Sequence, residues 1–521
     1  MGQAIQLQDN LGNSLPAIAS LQSVFDENGG NIESVIAGIK RHLVSSTDFD
    51  VVIVGSGSAG IAAAYALKDS ALKVCVIEKF NVIGGTALNA WMNCFAASGD
   101  VPFLKTITED LMADGKALYV DTRYQPFSAS DLANVVYDDT IVEQRFIKNG
   151  RTEACVSYDP DALRARYAND LSKNMILLTS AELVDVEKDG TSVTSIVVNT
   201  QHGQMRVSSK VFIDATADDV LLRLAGDGYT LIGSDAKTRY QSEYGFVESN
   251  AGSTSVASSL NWPDLIYRVA LGTEDLSGIT AAYGNNLLPY YNPDKKYIYL
   301  NPCASIAGND AKGANIYNDG AAAVYARMQP RTIQQWKAIK NAGGFSQAAL
   351  NNYDVSVRKF DSFAPMLGVR ETYRAKCERM LNENHFYVQI SSSNLADGDN
   401  LDKKIAYGNH IADSHGDNTI NTSAINTNLV PYGVPYGCLI PKGLTNVFVA
   451  SRGAGLTHVG ACSYRLNKDV MQLGYAAGKA ALIYNEDELS DTRNVDVEKL
   501  QSAQYTNFVG LIDRLESYIV G

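Results

Sequence analysis

The sequence predicts an α/β fold in which a parallel sheet is joined to an inserted α+β domain. The first observation is the β-branched run at residues 48–54, which is typical of a buried parallel strand. The second is the glycine-rich turn after it, which precedes an alanine-rich helix and another strand. The third is the stretch 230–365, which has mixed helical and strand character and contains no second turn of this kind.

Further elements follow from local patterns of hydrophobicity and from turn residues. Residues 181–200 predict a hairpin that turns at Lys188-Asp189-Gly190. The other expected elements are helices at 61–68 and 469–484, strands at 73–78, 205–216 and 446–450, and surface loops at 391–430.

The turn after the first strand carries the pattern G-x-G-x-x-G. It consists of Gly55, Ser56, Gly57, Ser58, Ala59 and Gly60. In a Rossmann-like fold such a turn brings backbone and a helix N-terminus close to a pyrophosphate. Glu78 lies 18 residues after Gly60, at the end of the second strand, where a carboxylate accepts hydrogen bonds from a ribose. The sequence therefore predicts a dinucleotide site.

A second glycine pair decides between two dinucleotides. Lys79 follows the acidic residue, and Gly84, Gly85 and Thr86 come shortly after it. A glycine pair at this place lets backbone approach a second part of a long ligand, which an NAD domain does not need. We therefore expect FAD.

Several separated motifs now identify a family that this chain resembles. The segments D-V-V-I-V-G-S-G-S-A-G, V-I-E-K and G-G-T-A-L-N are similar to FAD-dependent oxidoreductases of the glutathione-reductase-like superfamily. Later segments, G-V-R-E-T from Gly368 and V-P-Y from Val434, resemble the FAD-dependent oxidoreductase family. The resemblance covers roughly residues 48–500.

The resemblance implies a set of cofactor-binding positions. Val184 in the hairpin would present backbone to the adenine, and Arg452 would follow the last strand of the sheet. The complete set is Gly55, Gly57, Ser58, Ala59, Gly60, Glu78, Lys79, Gly84, Gly85, Thr86, Val184, Ala215, Thr216, Arg452, Ala477 and Gly478. The segment that contains Ala477 and Gly478 would close on the flavin. The chain departs from the family pattern at Ala217 and Ser451, where glycine is usual.

The patterns along the chain predict a division into five parts. These are a docking or attachment segment at 1–46, the first part of the FAD-binding domain at 47–229, an inserted substrate domain at 230–365, the return part of the FAD-binding domain at 366–500, and a C-terminal helix at 501–521.

Three residues are candidates for catalysis: His458, His415 and Arg465. Hydride transfer from an alcohol or amine carbon to flavin N5 needs a base, and histidine titrates near neutral pH. The many Tyr and Asn of 230–360 suit a small polar substrate such as a sugar or polyol. A fumarate-reductase-like variant would need several arginines around a substrate carboxylate, and Arg370, Arg374 and Arg465 leave this open. For Arg370, an internal ion pair with its neighbour Glu371 is favoured over contact with substrate.

An alternative function starts from residues 1–46. Ile32, Val35, Ile36, Ile39 and Leu43 follow a helical spacing, and a single helix of this kind must dock on something. The segment resembles the short N-terminal anchors of phage tail-associated proteins. The chain would then be a flavoprotein fold serving a larger, viral or extracellular assembly. A homo-oligomer is also open, and a helix packed on its own domain is favoured over the assembly.

Composition excludes other classes of function. A net charge of −13 leaves no basic face for nucleic acid, and no apolar run is long enough for a membrane span. The first twenty residues predict no signal peptide, so we expect a soluble cytoplasmic protein. Seven irregularly spaced cysteines, and histidines without an acidic partner at metal spacing, predict no metal site.

Overall fold

A computed structural model describes most of the chain from residue 48 to residue 504. The described residues are 48–95, 101–120, 155–232, 240–250, 260–285, 287–291, 296–302, 305–345, 354–387, 404–408, 410–415, 420–429 and 432–504, with short strands between 136 and 152. The predicted segment at 1–46 lies outside them, as does the predicted helix at 501–521 beyond Gln504.

The central sheet contains seven strands within the described residues. They are β1 (Asp48–Val54), β2 (Val74–Ile77), β9 (Ile176–Leu178), β10 (Glu182–Asp189), β11 (Ser192–Thr200), β12 (Gly203–Asp214) and β21 (Val447–Val449). Their order is β10, β11, β12, β1, β2, β9, and β21 also pairs with β12. The contacts of β1 with β2 and β12, of β2 with β9, and of β12 with β21 are parallel. The predicted α/β fold with a parallel sheet is confirmed.

The long strand β12 changes partner along its length, which explains how a hairpin joins a parallel sheet. Its first half pairs antiparallel with β11, whereas Phe212–Asp214 pairs parallel with Val447–Val449. The hairpin turns at Gly190 and Thr191, one residue later than the predicted centre, because the positive φ of Gly190 (+58°) suits the turn.

Twelve α-helices within the described residues lie between or after the strands along the chain. They are α1 (Ser58–Leu67), α2 (Gly85–Asn89), α3 (Pro102–Ala113), α4 (Pro160–Leu171), α5 (Val220–Ala225), α6 (Gln241–Tyr244), α7 (Gly313–Asp319), α8 (Ala321–Ala342), α9 (Thr422–Asn428), α10 (His458–Tyr464), α11 (Asn467–Glu486) and α12 (Val497–Gln504), with 3₁₀ turns at Glu383–Tyr387, Tyr436–Leu439 and Thr492–Asn494. None of the helices in the described part of the chain combines the length and apolarity that a bilayer crossing requires.

A second, antiparallel sheet lies between residues 267 and 363. It contains β14 (Tyr267–Leu271), β15 (Leu288–Tyr291), β16 (Tyr297–Asn301) and β17 (Arg358–Phe363), in the order β15, β16, β14, β17. Helix α8 packs on it through the buried Trp336 and Ile339. The sheet therefore has an apolar core of its own, within the stretch for which the sequence predicts an inserted domain.

The remaining strands are short and lie outside the two larger sheets. They are β3 (Cys94–Phe95), β4 (Ala117–Val120), β5 (Val136–Tyr137), β6 (Phe146–Lys148), β7 (Arg151–Thr152), β8 (Cys155–Tyr158), β13 (Thr230–Ile232), β18 (Tyr373–Ala375), β19 (Lys404–Gly408) and β20 (Tyr432–Pro435). The prediction of surface loops over 391–430 is wrong at β19 and at α9. Strand β19 is buried and pairs with β20, so its short apolar centre outweighs the polar residues around it.

Candidate active site

The glycine turn after β1 is as tight as the pattern predicts. Gly55 has a φ of +98°, and a Cβ atom there would lie 2.6 Å from the carbonyl oxygen of Ala215. A Cβ atom on Gly60 would lie 1.9 Å from the carbonyl oxygen of Gly55. Both glycines are therefore required by contacts within the protein itself.

Gly57 differs because the space beside it is open. A Cβ atom on Gly57 would meet only the Cα atom of Gly85, at 3.9 Å. Gly85 belongs to the second glycine pair, where Gly84 has a φ of +114°. Gly57 also caps α1, which starts at Ser58 and Ala59 without a side-chain cap. The two glycine turns thus form a cradle with free helix N–H groups, which suits a phosphate anion. Thr86 follows in the first turn of α2.

Glu78 ends the second strand as a buried carboxylate. Its Oε2 atom accepts hydrogen bonds from the N–H and O–H groups of Ser56, at 3.0 and 2.6 Å. Its Oε1 atom accepts the N–H of Phe80 at 3.0 Å. A carboxylate oxygen has further acceptor capacity, so ribose hydroxyls remain compatible with this site. Lys79 is exposed, and its ammonium lies 5.1 Å from the Phe80 ring centroid.

The end of β12 closes the cradle from the other side. The N–H and O–H groups of Thr216 donate to Asp214 Oδ1 at 3.0 and 2.7 Å. The backbone carbonyl group of Ala215 packs against Gly55. Ala217 has a φ of +64°, in the left-handed region that favours glycine. The departure seen in the sequence therefore falls at a conformation for which alanine is poorly suited.

Val184 and Arg452 lie in different parts of the chain around the central sheet. The register of β10 and β11 passes from Leu183 opposite Val198 to Asp185 opposite Val197, so Val184 is the extra residue of a bulge. Arg452 follows β21 and donates to Asp218 Oδ1 at 2.7 Å.

Ala477 and Gly478 lie inside helix α11, which begins at Asn467. A Cβ atom on Gly478 would lie 2.5 Å from the carbonyl oxygen of Ala63, so this glycine allows α11 to pack closely on α1. The flavin contact that the resemblance implies for this segment stays a prediction.

His458 and Glu371 form a buried pair. His458 starts α10, and its Nδ1 atom lies 2.8 Å from each carboxylate oxygen of Glu371. Arg374 donates to the same carboxylate. Burial acts to raise the pKa of Glu371, but the charges of His458 and Arg374 outweigh it and lower the pKa to about 2.

His415 and Arg465 meet at a second carboxylate. The Nε2 atom of His415 lies 2.6 Å from Asp413 Oδ2, and Arg465 donates to the Asp413 carbonyl oxygen at 2.7 Å. Burial and the charge of Arg370 lower the pKa of His415, which favours its neutral form.

Asn261 joins the two histidine–carboxylate pairs, and no sequence motif pointed to it. Its Nδ2 atom donates to Glu371 Oε2 at 2.9 Å, and its Oδ1 atom accepts the N–H of His415 at 3.0 Å. We name this group of residues the polar cluster: Asn261, Asp264, Arg370, Glu371, Arg374, Asp413, His415, His458 and Arg465. The three candidate catalytic residues are thus brought together.

The ion pair between Arg370 and Glu371 that the sequence favoured does not form, because each side chain has another partner. Arg370 instead pairs with the buried Asp264 and donates to the Trp262 carbonyl oxygen at 2.7 Å. Adjacent residues point to different partners here, which is why their adjacency in the sequence was misleading.

The polar cluster touches both sides of the cradle. On one side, Thr372, the neighbour of Glu371, donates to Asp218 in the turn after β12 at 2.6 Å. On the other, a Cβ atom on Gly368 would lie 3.6 Å from Asp264 and 4.0 Å from Ala90, which follows α2. The cluster is therefore connected, through Thr372 and Gly368, to the segments that follow β12 and α2.

A tight glycine turn between a parallel strand and a helix, with a carboxylate at the end of the next strand, is typical of dinucleotide-binding proteins. The chain belongs to the FAD dependent oxidoreductase family, whose model matches residues 50–504. It is therefore an FAD-dependent enzyme, and the open space beside Gly57 and the uncapped start of α1 fit that cofactor.

Curated relatives match short segments. The fumarate reductase (cytochrome) of Shewanella frigidimarina is 50% identical over 60 residues, which are 12% of this chain and 10% of the relative. The NADH:acrylate oxidoreductase of Vibrio harveyi is 31% identical over 123 residues, 21% of this chain and 12% of the relative. The match thus spans about a tenth of either relative's length.

Solved structures match over more of the chain. A geranylgeranyl bacteriochlorophyll reductase-like protein from Thermoplasma acidophilum is 11% identical, with a TM-score of 0.43, and covers 91% of this chain and 90% of its own. A flavin-dependent brominase is 13% identical, with a TM-score of 0.39, and covers 88% of this chain and 83% of its own.

Proposed function

We propose that this enzyme transfers hydride between flavin N5 and a carbon atom of a small, uncharged polar substrate bound against the polar cluster. The observation that carries the proposal is the bridge of Asn261 between the pairs Glu371–His458 and Asp413–His415. FAD, when bound, supplies the hydride acceptor or donor. The protein supplies the site, its orientation and the proton transfer.

His415 is the best candidate for the proton acceptor. Its lowered pKa keeps the imidazole neutral near pH 7, and Asp413 at 2.6 Å fixes the ring and stabilises the charge it gains. His458 is completely buried against Glu371. We therefore assign His458 a positioning role, in which it holds Glu371 and, through Asn261, the backbone of His415.

The charges of the cluster support an uncharged substrate. Arg370 pairs with Asp264, and Arg374 with Glu371. Arg465 donates to backbone carbonyl oxygens of residues 461, 462 and 413. Each guanidinium is already engaged within the protein, so little positive charge is left for a carboxylate. A sugar or polyol, the class suggested by the Tyr and Asn content, agrees with this balance.

Reduction of an unsaturated carboxylate is the second candidate. The arginines of the polar cluster favour this reaction. A substrate carboxylate that took the place of Asp264 would bind Arg370, and one that took the place of Asp413 would bind Arg465. The names of the curated relatives agree with this chemistry over short matches only.

The test uses purified protein loaded with FAD. Anaerobic mixing with glucose or sorbitol should bleach the oxidised flavin if the first candidate holds. Dithionite-reduced protein should reoxidise with fumarate or acrylate if the second holds. His415→Asn should slow the productive reaction by about 10²–10⁴-fold with unchanged FAD content. His202→Asn, at an exposed turn, is the control. An unchanged rate in His415→Asn refutes the assigned base.

The assembly function proposed for residues 1–46 stays a prediction, as does the division into domains. Deleting 1–46 while following oligomer size and flavin reduction would distinguish the two functions. Unchanged size and activity count against the assembly.

A further inference from the structure

A groove of about 610 Å³ lies at the end of α1 that is remote from the glycine cradle. Its lining is mixed: Arg166 and Asp170 belong to it, and its apolar part, which we call the floor, includes Tyr65, Leu72, Phe103 and Leu482. The rings of Tyr65 and Phe103 stack, with centroids 4.2 Å apart and planes within 9°. Phe103 and Leu482 are only partly buried.

Charged residues border this floor. Lys68 and Lys479 lie on the rim together with Asp69 and Glu486. The rim therefore offers partners of both signs, as expected for an amphipathic segment that lays an apolar face on the floor and polar residues along the edges.

The described chain begins at the edge of this groove. The N–H of Asp50 donates to the carbonyl oxygen of Lys73 at 2.9 Å, and Lys73 follows the lining residue Leu72. On the other side, Asn485 Nδ2 lies 3.5 Å from the Asp50 carbonyl oxygen, and Asn485 precedes the lining residue Glu486. Whatever precedes Asp48 therefore leaves the sheet beside the groove.

The sequence just before Asp48 has the pattern that such a groove requires. Ile32, Val35, Ile36, Ile39 and Leu43 share one face at helical spacing. Lys40 lies at the border of that face, since it follows Ile36 by four residues. Residues 44–47 connect Leu43 to Asp48, and four extended residues reach about 13–14 Å.

We propose that residues 32–43 of the same chain occupy this groove, with their apolar residues on the floor and Lys40 next to Asp69 or Glu486. The short connection makes docking within one chain favourable, because the segment is held at a high effective concentration near its site. The groove is thus the docking surface of the chain's own N-terminal segment, and the inference is independent of the proposed reaction.

Zero-length carbodiimide cross-linking of the full chain, read by peptide mass spectrometry, tests this proposal. Lys40 should link to Asp69 or Glu486 in the monomeric band. Mixing ¹⁴N- and ¹⁵N-labelled protein identifies links between copies. Ile36→Asp combined with Ile39→Asp should abolish the link, whereas Leu271→Asp, at an exposed position of the other sheet, should leave it intact.

Hydrogen exchange supplies a second measure that does not depend on the cross-linking chemistry. Amides of 66–72 and 102–113 should exchange at least ~10-fold faster in the Ile36→Asp, Ile39→Asp variant than in the unmodified chain. Links between copies only, links of Lys40 to other surfaces, or unchanged exchange at these two segments would each overturn the proposal.

Discussion

The Nδ1 atom of His458 lies 2.8 Å from both carboxylate oxygens of Glu371, although 87 residues separate them in the chain. Arg374 binds the same carboxylate, so one buried carboxylate is shared by a guanidinium and an imidazole. A carboxylate in this position satisfies groups that water cannot reach. The stability of the polar cluster therefore depends on Glu371 more than on either of its partners.

Glu371→Gln is expected to destabilise the fold by about 3–5 kcal/mol, because it removes the buried carboxylate charge that Arg374 and His458 both contact. Urea unfolding at pH 7 measures this change. Glu187→Gln, which removes the exposed partner of Arg206 on the hairpin, is the matched control and should leave the midpoint nearly unchanged. Equal midpoints for both variants would contradict the assigned role of Glu371.

The acid stability of the protein should depend on the same carboxyl. The pKa of Glu371 is lowered from 4.5 to about 2, so its contribution is complete above pH 4.5 and is lost as the pH falls toward 2. The contribution is on the order of 3 kcal/mol. Unfolding free energies measured from pH 7 downward should fall less steeply below pH 4.5 in Glu371→Gln. A parallel decline in both proteins would refute this prediction.

Ala217→Gly should stabilise the protein. The left-handed backbone at Ala217, with φ +64°, costs about 1–2 kcal/mol for a residue with a Cβ atom. Glycine removes this cost but adds about 0.4–1 kcal/mol of unfolded-state entropy, so we expect a net gain of up to ~1 kcal/mol. Ala63→Gly, inside α1, should instead lose about 1 kcal/mol. Urea midpoints compare the two, and a loss in Ala217→Gly would be the contrary result.

Local patterns predicted the cradle well, and long-range contacts account for what they missed. The turn from Gly55 to Gly60 and the carboxylate of Glu78 are fixed by residues that lie close together in the chain, so spacing alone indicates their positions. The pairing of Arg370 with Asp264 joins residues 106 positions apart. Nothing in the neighbouring sequence of Arg370 distinguishes this partner from Glu371.

Gly478 shows why a small residue does not by itself identify its neighbour. The resemblance implies that the segment with Ala477 and Gly478 closes on the flavin, and this stays a prediction. Within the protein, a Cβ atom on Gly478 would lie 2.5 Å from the carbonyl oxygen of Ala63 in α1. A sequence indicates that something comes close to a small residue but does not indicate what.

Gly474→Ala tests that helix contact. Inside a helix this change usually stabilises by about 1 kcal/mol. Here the added Cβ atom would lie 2.0 Å from the carbonyl oxygen of Ala59, so α11 must move away from α1. We expect a net loss of about 1–3 kcal/mol in thermal unfolding, together with weaker FAD retention. Gly344→Ala, where nothing lies within 4 Å of the added atom, is the control. A stabilised Gly474→Ala would show that the helices do not approach this closely.

Gly57→Ala separates the cofactor's need for glycine from the protein's own. The added Cβ atom would meet only Gly85 Cα, at 3.9 Å, which is an ordinary contact, and Gly57 has an extended backbone that alanine adopts readily. The apoprotein should therefore lose no more than about 1 kcal/mol, the cost of alanine in place of glycine at the N-cap of α1. Because the Cβ atom enters the space assigned to the pyrophosphate, FAD should bind at least ~10-fold more weakly, as measured by quenching of flavin fluorescence on titration.

Gly55→Ala should lose stability and FAD together, since its clash is with Ala215. Unchanged FAD affinity in Gly57→Ala would place the pyrophosphate elsewhere and refute the cradle as its site.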